Sequence, residues 1–157
     1  MTATLVVRTH SAQETRRIGR ALGEAAQPGD VLLLGGSFGV GKTVLVQGLA
    51  AGLGVPEEIT SPSFVLMVEH QGRLPLYHVD LYRLDGSLDD ELLDNLADYQ
   101  EAGGVCAIEW PDALPGELRA GATSIRISVP DETTREIAVE SPDERLVSAV
   151  RVAVGAA

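Results

Sequence analysis

Apolar residues in this chain follow two spacings, one typical of buried strands and the other of amphipathic helices. Continuous apolar runs at 31–34 and 105–108 are typical of strands covered on both faces of a parallel sheet. Elsewhere, apolar residues recur at intervals of three and four, which predicts helices. The predicted strands are 4–9, 31–34, 64–69, 74–81, 105–108, 124–129 and 135–140, and the predicted helices are 11–26, 42–53 and 88–101. The tail 144–154 fits a helix or a strand, and the helix is favoured.

The order of these elements, βαβαββαβββα, places buried strands next to helices along the chain. Such an order predicts an α/β sandwich built around a mixed sheet. The length of 157 residues fits one domain, 1–157.

The composition bears on the cellular location of the protein and on its binding to nucleic acids and membranes. Its formal net charge is −11, so we expect repulsion from nucleic-acid phosphates and from anionic membranes. Residues 1–10 lack the apolar stretch of a signal peptide, and no segment approaches the roughly 20 apolar residues of a membrane span. Cys106, the single cysteine, lies in an apolar run, which predicts a buried thiol. We therefore expect a cytoplasmic protein that reaches any RNA through a partner.

A glycine-rich loop lies between the apolar run 31–34 and the next predicted helix. Residues 36–43, GSFGVGKT, match the pattern G-x-x-x-x-G-K-[ST] and include the only lysine of the chain, Lys42. Between a strand and a helix, such a loop binds phosphates through its amides and the helix dipole. Lys42 then reaches the β- and γ-phosphates, and the Thr43 hydroxyl ligates magnesium. The predicted nucleotide-binding residues are Gly36, Phe38, Gly39, Val40, Gly41, Lys42 and Thr43.

This motif allows a more specific prediction of both the fold and the ligand. It predicts a three-layer P-loop NTPase-like sandwich with a mixed, mostly parallel central sheet. The predicted ligand is ATP with Mg²⁺, because the usual guanine-binding motif N-K-x-D would need a second lysine. The alternative is a glycine-rich turn that binds no ligand.

Two carboxylates are candidates for metal binding and catalysis. Glu109 ends the apolar strand 105–108 and suits the acid that holds magnesium from a neighbouring strand, the alternative being a solvated carboxylate. In the strand 74–81, alternation places His78 and Asp80 on one face. This face either binds a hydrated cation and orients the attacking water, or is an exposed polar face with a local His–Asp hydrogen bond.

Two further positions allow a functional or a structural interpretation. Ser63 lies in the Ser-Pro-Ser segment 61–63, in a region that often responds to the γ-phosphate in P-loop proteins, although this sequence is also typical of a plain turn. Trp110 is the only tryptophan. It is a candidate to stack on a base or to cover the site, and packing in the interior is the alternative.

Four segments taken together resemble a known family. They are the loop 36–43, Ser-Pro-Ser-Phe at 61–64, Tyr-His-Val-Asp-Leu-Tyr-Arg-Leu at 77–84 and Ile-Glu-Trp-Pro at 108–111. In this order they resemble the TsaE (YjeE) family of small ATPases in the biosynthesis of threonylcarbamoyladenosine in tRNA. The resemblance extends over about residues 11–111, and the H-x-D-L-Y-R and I-E-W segments are more specific than the loop.

The resemblance implies roles for the candidate residues. Lys42 and the loop amides bind ATP, Thr43 and Glu109 hold Mg²⁺, and Asp80 lies near the metal and is needed for hydrolysis. Lys42 and Asp80 are therefore the expected catalytic residues. Ser63 stands at the switch position, where the family usually has Thr. The implied partners are TsaB and TsaD, which transfer threonylcarbamoyl to adenosine 37 of tRNAs that read ANN codons, while the ATPase hydrolyses ATP between rounds.

Two other functions remain open at this point, a small-molecule kinase and a nucleotide-gated binding module without hydrolysis. Kinases of this type usually clamp the transferring phosphate with several arginines, whereas the arginines after residue 83 are scattered along the sequence. A binding module would keep the loop and lose the water-orienting group. Asp80 therefore distinguishes a binding module from an ATPase.

Overall fold

The computed structural model of the protein describes residues 2–36, 41–56, 59, 67–81, 90–111, 114 and 116–155. The strands are β1 (Ala3–Thr9), β2 (Val31–Gly35), β3 (Met67–His70), β4 (Leu76–Asp80), β5 (Val105–Glu109), β6 (Thr123–Asp131) and β7 (Thr134–Ser141). The helices are α1 (Ala12–Ala25), α2 (Lys42–Gly52), α3 (Asp90–Glu101), α4 (Gly116–Arg119) and α5 (Glu144–Gly155). No helix in these described ranges has the length and apolar character that a membrane crossing requires.

The strands form one sheet in the order β1-β7-β6-β2-β5-β4-β3. Its centre is parallel, because β2 pairs in parallel with β5 and β6, and β4 pairs in parallel with β5. Antiparallel pairings add β7 and β1 at one edge and β3 at the other. The predicted mixed sheet is confirmed, with its parallel strands in the middle.

Helices cover both faces of the sheet, which confirms the predicted three-layer sandwich. Alternate residues of β2 point to opposite faces, so Leu32 and Leu34 join one hydrophobic cluster and Leu33 joins the other. The first cluster includes buried residues of α1, α2 and α5. The second includes Leu96 of α3, with Tyr99 packed against it. The continuous apolar run at 31–34 therefore reflects burial on both faces.

The observed elements match the predicted ones in order, with a few differences at their ends. Residues 64–66 and 82–89 lie outside the described residues, so the predicted starts of β3 and α3 are not described. The helix α4 was not predicted, because four residues are too few for a periodic apolar pattern. β6 also extends past the predicted end at 129 to include Pro130, at a register shift between Ser128 and Asp131. A proline is tolerated at such an irregularity because the ladder needs no donor there.

Helices α1 and α2 pack against each other with their backbones in close contact. A Cβ atom added at Gly48 of α2 would lie 2.0 Å from the carbonyl oxygen of Arg16, and one added at Gly19 of α1 would lie 2.1 Å from that of Leu45. Only glycine fits at these positions without displacing the facing helix. This contact fixes the position of α2, which begins at Lys42, the lysine of the glycine-rich loop.

Candidate functional site

The candidate residues come together where three parallel strands end. β2, β5 and β4 are neighbours, and the register pairs Glu109 with Leu34 on one side and with Asp80 on the other. The glycine-rich loop leaves β2 at Gly36, and α2 begins at Lys42. In open α/β sheets, ligands bind in the crevice outside the carboxyl ends of the strands. The predicted carboxylates and the loop therefore share the edge where a ligand is expected.

The ends of the glycine-rich loop have backbone conformations that favour glycine. Gly36 has a φ of 133° and Gly41 a φ of 111°. Gly41 is the N-cap of α2, and no side chain of the described residues caps this helix. The first turn of α2 also carries no acidic residue, so no carboxylate of that turn neutralises the positive end of the helix dipole. This arrangement suits an anion such as a phosphate.

The Lys42 side chain reaches back to Gly36, at the start of the loop. Its Nζ donates a hydrogen bond of 2.8 Å to the carbonyl oxygen of Gly36 and lies 3.6 Å from the centre of the Trp110 ring. Only 5% of Lys42 is exposed. Burial lowers the pKa of its ammonium group, and the nearby carboxylates of Glu109 and Asp80 oppose that shift. An anion at the loop would therefore meet a partly desolvated positive charge, whose attraction is stronger than in water.

Trp110 adopts an uncommon backbone conformation at this point. Its φ is 58°, and among the described residues it is the only non-glycine residue with a positive φ. Its backbone N–H donates to the carbonyl oxygen of Leu34, and its partly buried side chain packs against the second hydrophobic cluster. Bulky residues keep such conformations only where surrounding structure enforces them, often at functional sites. The ring covers Lys42 and packs on the interior at the same time.

His78 and Glu109 form a buried pair between neighbouring strands. The Nε2 atom of His78 lies 2.5 Å from Oε2 of Glu109. His78 is fully buried and Glu109 is 3% exposed. The Nδ1 atom of His78 has no hydrogen-bond partner among the described residues. The exposed polar face with a local His–Asp bond, one of the two interpretations from the sequence, is therefore wrong, as is a solvated Glu109.

Three residues near the loop carry oxygen donors and are the candidates to hold a magnesium ion. Thr43 lies in the first turn of α2, Glu109 offers the carboxylate oxygen that His78 does not contact, and Asp80 is paired in register with Glu109. Mg²⁺ is usually held by one or two carboxylates, water and substrate phosphates. Within the described ranges, no three His, Cys, Asp or Glu side chains form a metal-binding group.

A cavity of about 330 Å³ lies beside the end of the glycine-rich loop. It is bounded by Gly41 and Val44 of the loop and α2, by the turn between β1 and α1, and by the turn between β6 and β7. The residues from these two turns and the adjoining elements are His10, Ser11, Ala12, Thr15, Glu132, Thr133 and Arg135. No sequence pattern predicts this cavity, because its walls come from segments that are distant along the chain.

Several predicted site residues lie outside the described residues. They are Phe38, Gly39 and Val40 of the loop and Ser63 of the predicted switch. Of the other predicted residues, Gly36, Gly41, Lys42 and Thr43 lie at the loop and the start of α2, and Asp80, Glu109 and Trp110 lie at the adjoining strand ends.

Comparisons with known proteins agree with this geometry. A family model described as "Threonylcarbamoyl adenosine biosynthesis protein TsaE" matches residues 9–137. The chain is 43% identical over 131 residues to the tRNA threonylcarbamoyladenosine biosynthesis protein TsaE of Treponema pallidum, covering 83% of this chain and 96% of that protein. The protein of the same name from Streptomyces coelicolor is 38% identical over 141 residues, covering 85% and 95%.

A solved structure is also similar over nearly the whole chain. The crystal structure of Bacillus subtilis YdiB superimposes with a TM-score of 0.77 at 34% sequence identity, covering 98% of this chain and 96% of that one. The family match continues to residue 137, beyond the segment 11–111 in which the motifs lie. The likeness therefore includes β6 and the start of β7, whose sequences carry no recognisable motif.

Proposed function

The chain belongs to the TsaE family, which acts in tRNA threonylcarbamoyladenosine biosynthesis, and from this premise we propose that it is an ATPase that binds Mg-ATP on the loop 36–43. The observation that carries the proposal is the position of Lys42. Lys42 is 5% exposed, and its ammonium group lies near the Gly36 carbonyl, the Trp110 ring and the carboxylates of Glu109 and Asp80. Lys42 lies at the start of α2, which no side chain of the described residues caps. A phosphate chain at this point would receive hydrogen bonds from backbone N–H groups and from Lys42.

Magnesium would be held by Thr43 and Glu109 together with the phosphates. When bound, the ion neutralises the charge that develops on the transferring phosphoryl group. His78 keeps the Glu109 carboxylate in place by contacting one of its oxygens. Asp80, one strand further along the sheet edge, is the candidate to orient the attacking water. Lys42 stabilises negative charge on the phosphate oxygens.

The nucleoside would occupy the cavity beside Gly41 and Val44. Its volume of about 330 Å³ lies within the range of small-molecule pockets. The hydroxyls of Ser11 and Thr133 on its wall are candidates for hydrogen bonds with the ribose or the base. Val44 gives this wall an apolar side chain.

The proposed partners are TsaB and TsaD, and the proposed location is the cytoplasm, where tRNA is modified. With a net charge of −11, the protein is poorly suited to bind tRNA by itself. We therefore expect tRNA contact to be indirect. ATP hydrolysis by the protein alone should be slow for a separate reason, because no strong catalytic base is evident among the described residues of the site.

The test measures ATP hydrolysis by the protein alone and with TsaB and TsaD. We expect the partners to increase the rate, and Asp80→Ala to remove the increase while ATP binding, measured by calorimetry, is kept. Asp98→Ala, on the exposed side of α3, is the matched control and should behave as wild type. An unchanged rate with the partners would contradict the partnership. Hydrolysis unaffected by Asp80→Ala would favour a binding module over an ATPase.

A further inference from the structure

A second cavity lies next to the glycine-rich loop, on the face of the sheet opposite α2. Its volume is about 300 Å³. It lies over the end of β2 and the start of β6, with Gly35, Ser124 and Arg126 on its floor. Trp110, Pro111 and Arg119 of α4 line its sides. We call it the arginine cavity, because two of its lining residues are arginines.

The two arginines have no acidic partner within the described ranges. Neither Arg119 nor Arg126 forms an ion pair there, whereas Arg8, Arg20 and Arg145 each pair with a carboxylate. The chain carries 23 acidic and only 12 basic residues. In such an acidic chain, two neighbouring arginines without carboxylate partners form a local positive site, and a guanidinium group matches carboxylates and phosphates by two parallel hydrogen bonds.

The geometry connects this cavity to the nucleotide-binding loop. The Arg126 guanidinium lies alongside Gly35, because a Cβ atom at Gly35 would be 3.7 Å from its Cζ and Nη2 atoms. Gly35 immediately precedes Gly36, the first residue of the loop. Trp110 lines the same cavity, and its ring contacts Lys42. An occupant of the arginine cavity would therefore touch both the residue before the loop and the aromatic ring that covers the lysine.

We propose that the arginine cavity binds a carboxylate side chain presented by an acidic segment of a partner protein. Any effect of this occupant on ATP binding, through Trp110 and Lys42, rests on the function proposed above. A short acidic segment is favoured over RNA, because a net charge of −11 repels the long polyanionic backbone of a tRNA much more strongly than a peptide of a few carboxylates, which a local positive site can hold. The exposed Ser124 hydroxyl offers one more donor to the same group.

The experiment uses the fluorescence of Trp110, the only tryptophan of the chain. The full-length protein without nucleotide is titrated at low salt with hexaglutamate, hexaglutamine, sodium sulfate and unmodified tRNA. The variants are Arg119→Gln/Arg126→Gln and, as matched control, Arg151→Gln on the exposed side of α5. Thermal unfolding verifies that each variant is folded, and calorimetry with ATP measures the nucleotide site separately.

We expect a saturable fluorescence change with hexaglutamate and none with hexaglutamine. The double variant should weaken binding by at least about tenfold, which corresponds to the loss of one charge-assisted hydrogen bond. The Arg151→Gln variant should bind as wild type. The proposal is overturned if hexaglutamate produces no saturable change, if the double variant responds as wild type, if sulfate binds as tightly as the peptide, or if only tRNA binds. If the wild-type protein binds hexaglutamate but not ATP, the proposed ATPase function is refuted and the carboxylate-binding role of the arginine cavity is still supported.

Discussion

The contact between α1 and α2 leads to a sharp prediction about stability. Gly48→Ala adds one methyl group at a point where the facing carbonyl oxygen of Arg16 would be 2.0 Å away. Real Cβ atoms do not approach other heavy atoms closer than 3.0 Å, so the two helices must separate by about 1 Å. In an isolated helix, the same change would stabilise by about 1 kcal/mol, because alanine is the better helix former.

The packing loss is expected to exceed this gain. Overpacking a core typically costs about 1–3 kcal/mol and occasionally more. A separation of this size also weakens neighbouring contacts, since a gap of about 0.5–1 Å forfeits a quarter to a half of the dispersion attraction of the atoms that face it. We therefore expect the free energy of unfolding to fall by about 2–3 kcal/mol in total. For a chain of this length, the melting temperature should fall by about 4–12 °C.

The measurement is thermal and urea unfolding followed by circular dichroism. Gly116→Ala is the matched control, because a Cβ atom at Gly116 meets nothing within 4 Å and this helical glycine has no positive φ. We expect this control to melt at or slightly above the wild-type temperature. A Gly48→Ala variant as stable as wild type would refute the inference that the two backbones are in direct contact.

Three further predictions concern the site and the core. Burial raises the pKa of the Cys106 thiol from 9.0 to about 12. Thiol reagents at pH 8 should therefore modify the unfolded protein much faster than the native one. The free energy of unfolding should fall as the pH rises from 9.0 towards 12, because only the unfolded thiol loses its proton in that range. Val44→Phe fills the cavity beside the loop, so calorimetry should show weaker ATP binding and unchanged binding of inorganic triphosphate. His78→Asn removes the donor to Glu109 and should raise the Mg²⁺ concentration needed for hydrolysis by about tenfold or more. His78→Gln keeps a donor near the position of Nε2 and should have a smaller effect. Mn²⁺ binding to each variant, measured without nucleotide, checks both expectations.

Local pattern was sufficient to predict the elements that position the site. The apolar runs at 31–34 and 105–108 predicted β2 and β5, because strands buried on both faces carry no polar positions. The loop was predicted because its glycines and Lys42 are contiguous in sequence. Ser11 also begins the capping-box pattern Ser-Ala-Gln-Glu at 11–14, and as the N-cap of α1 its Oγ accepts a hydrogen bond from the amide of Glu14.

Features that depend on which elements become neighbours could not be predicted. The glycines of α1 and α2 look unremarkable in sequence, and only the packed pair shows that a Cβ atom at Gly48 would meet the backbone of Arg16. The positive φ of Trp110 is imposed by its surroundings, since no local rule favours it for a tryptophan. The two cavities beside the loop are likewise built from segments that only the fold brings together.

The buried His–Glu pair explains why two separate motifs belong to one site. Alternation alone places His78 and Asp80 on the same face of β4, two residues apart. The parallel register then sets Asp80 opposite Glu109 and His78 opposite Ala107. The His78 ring, two residues before Asp80 on the same face of β4, therefore reaches the Glu109 carboxylate. A carboxylate that is 3% exposed would be costly to bury without such a partner. The histidine of H-x-D therefore supports the glutamate of I-E-W from the neighbouring strand, and a change at His78 should alter the position of the Glu109 carboxylate.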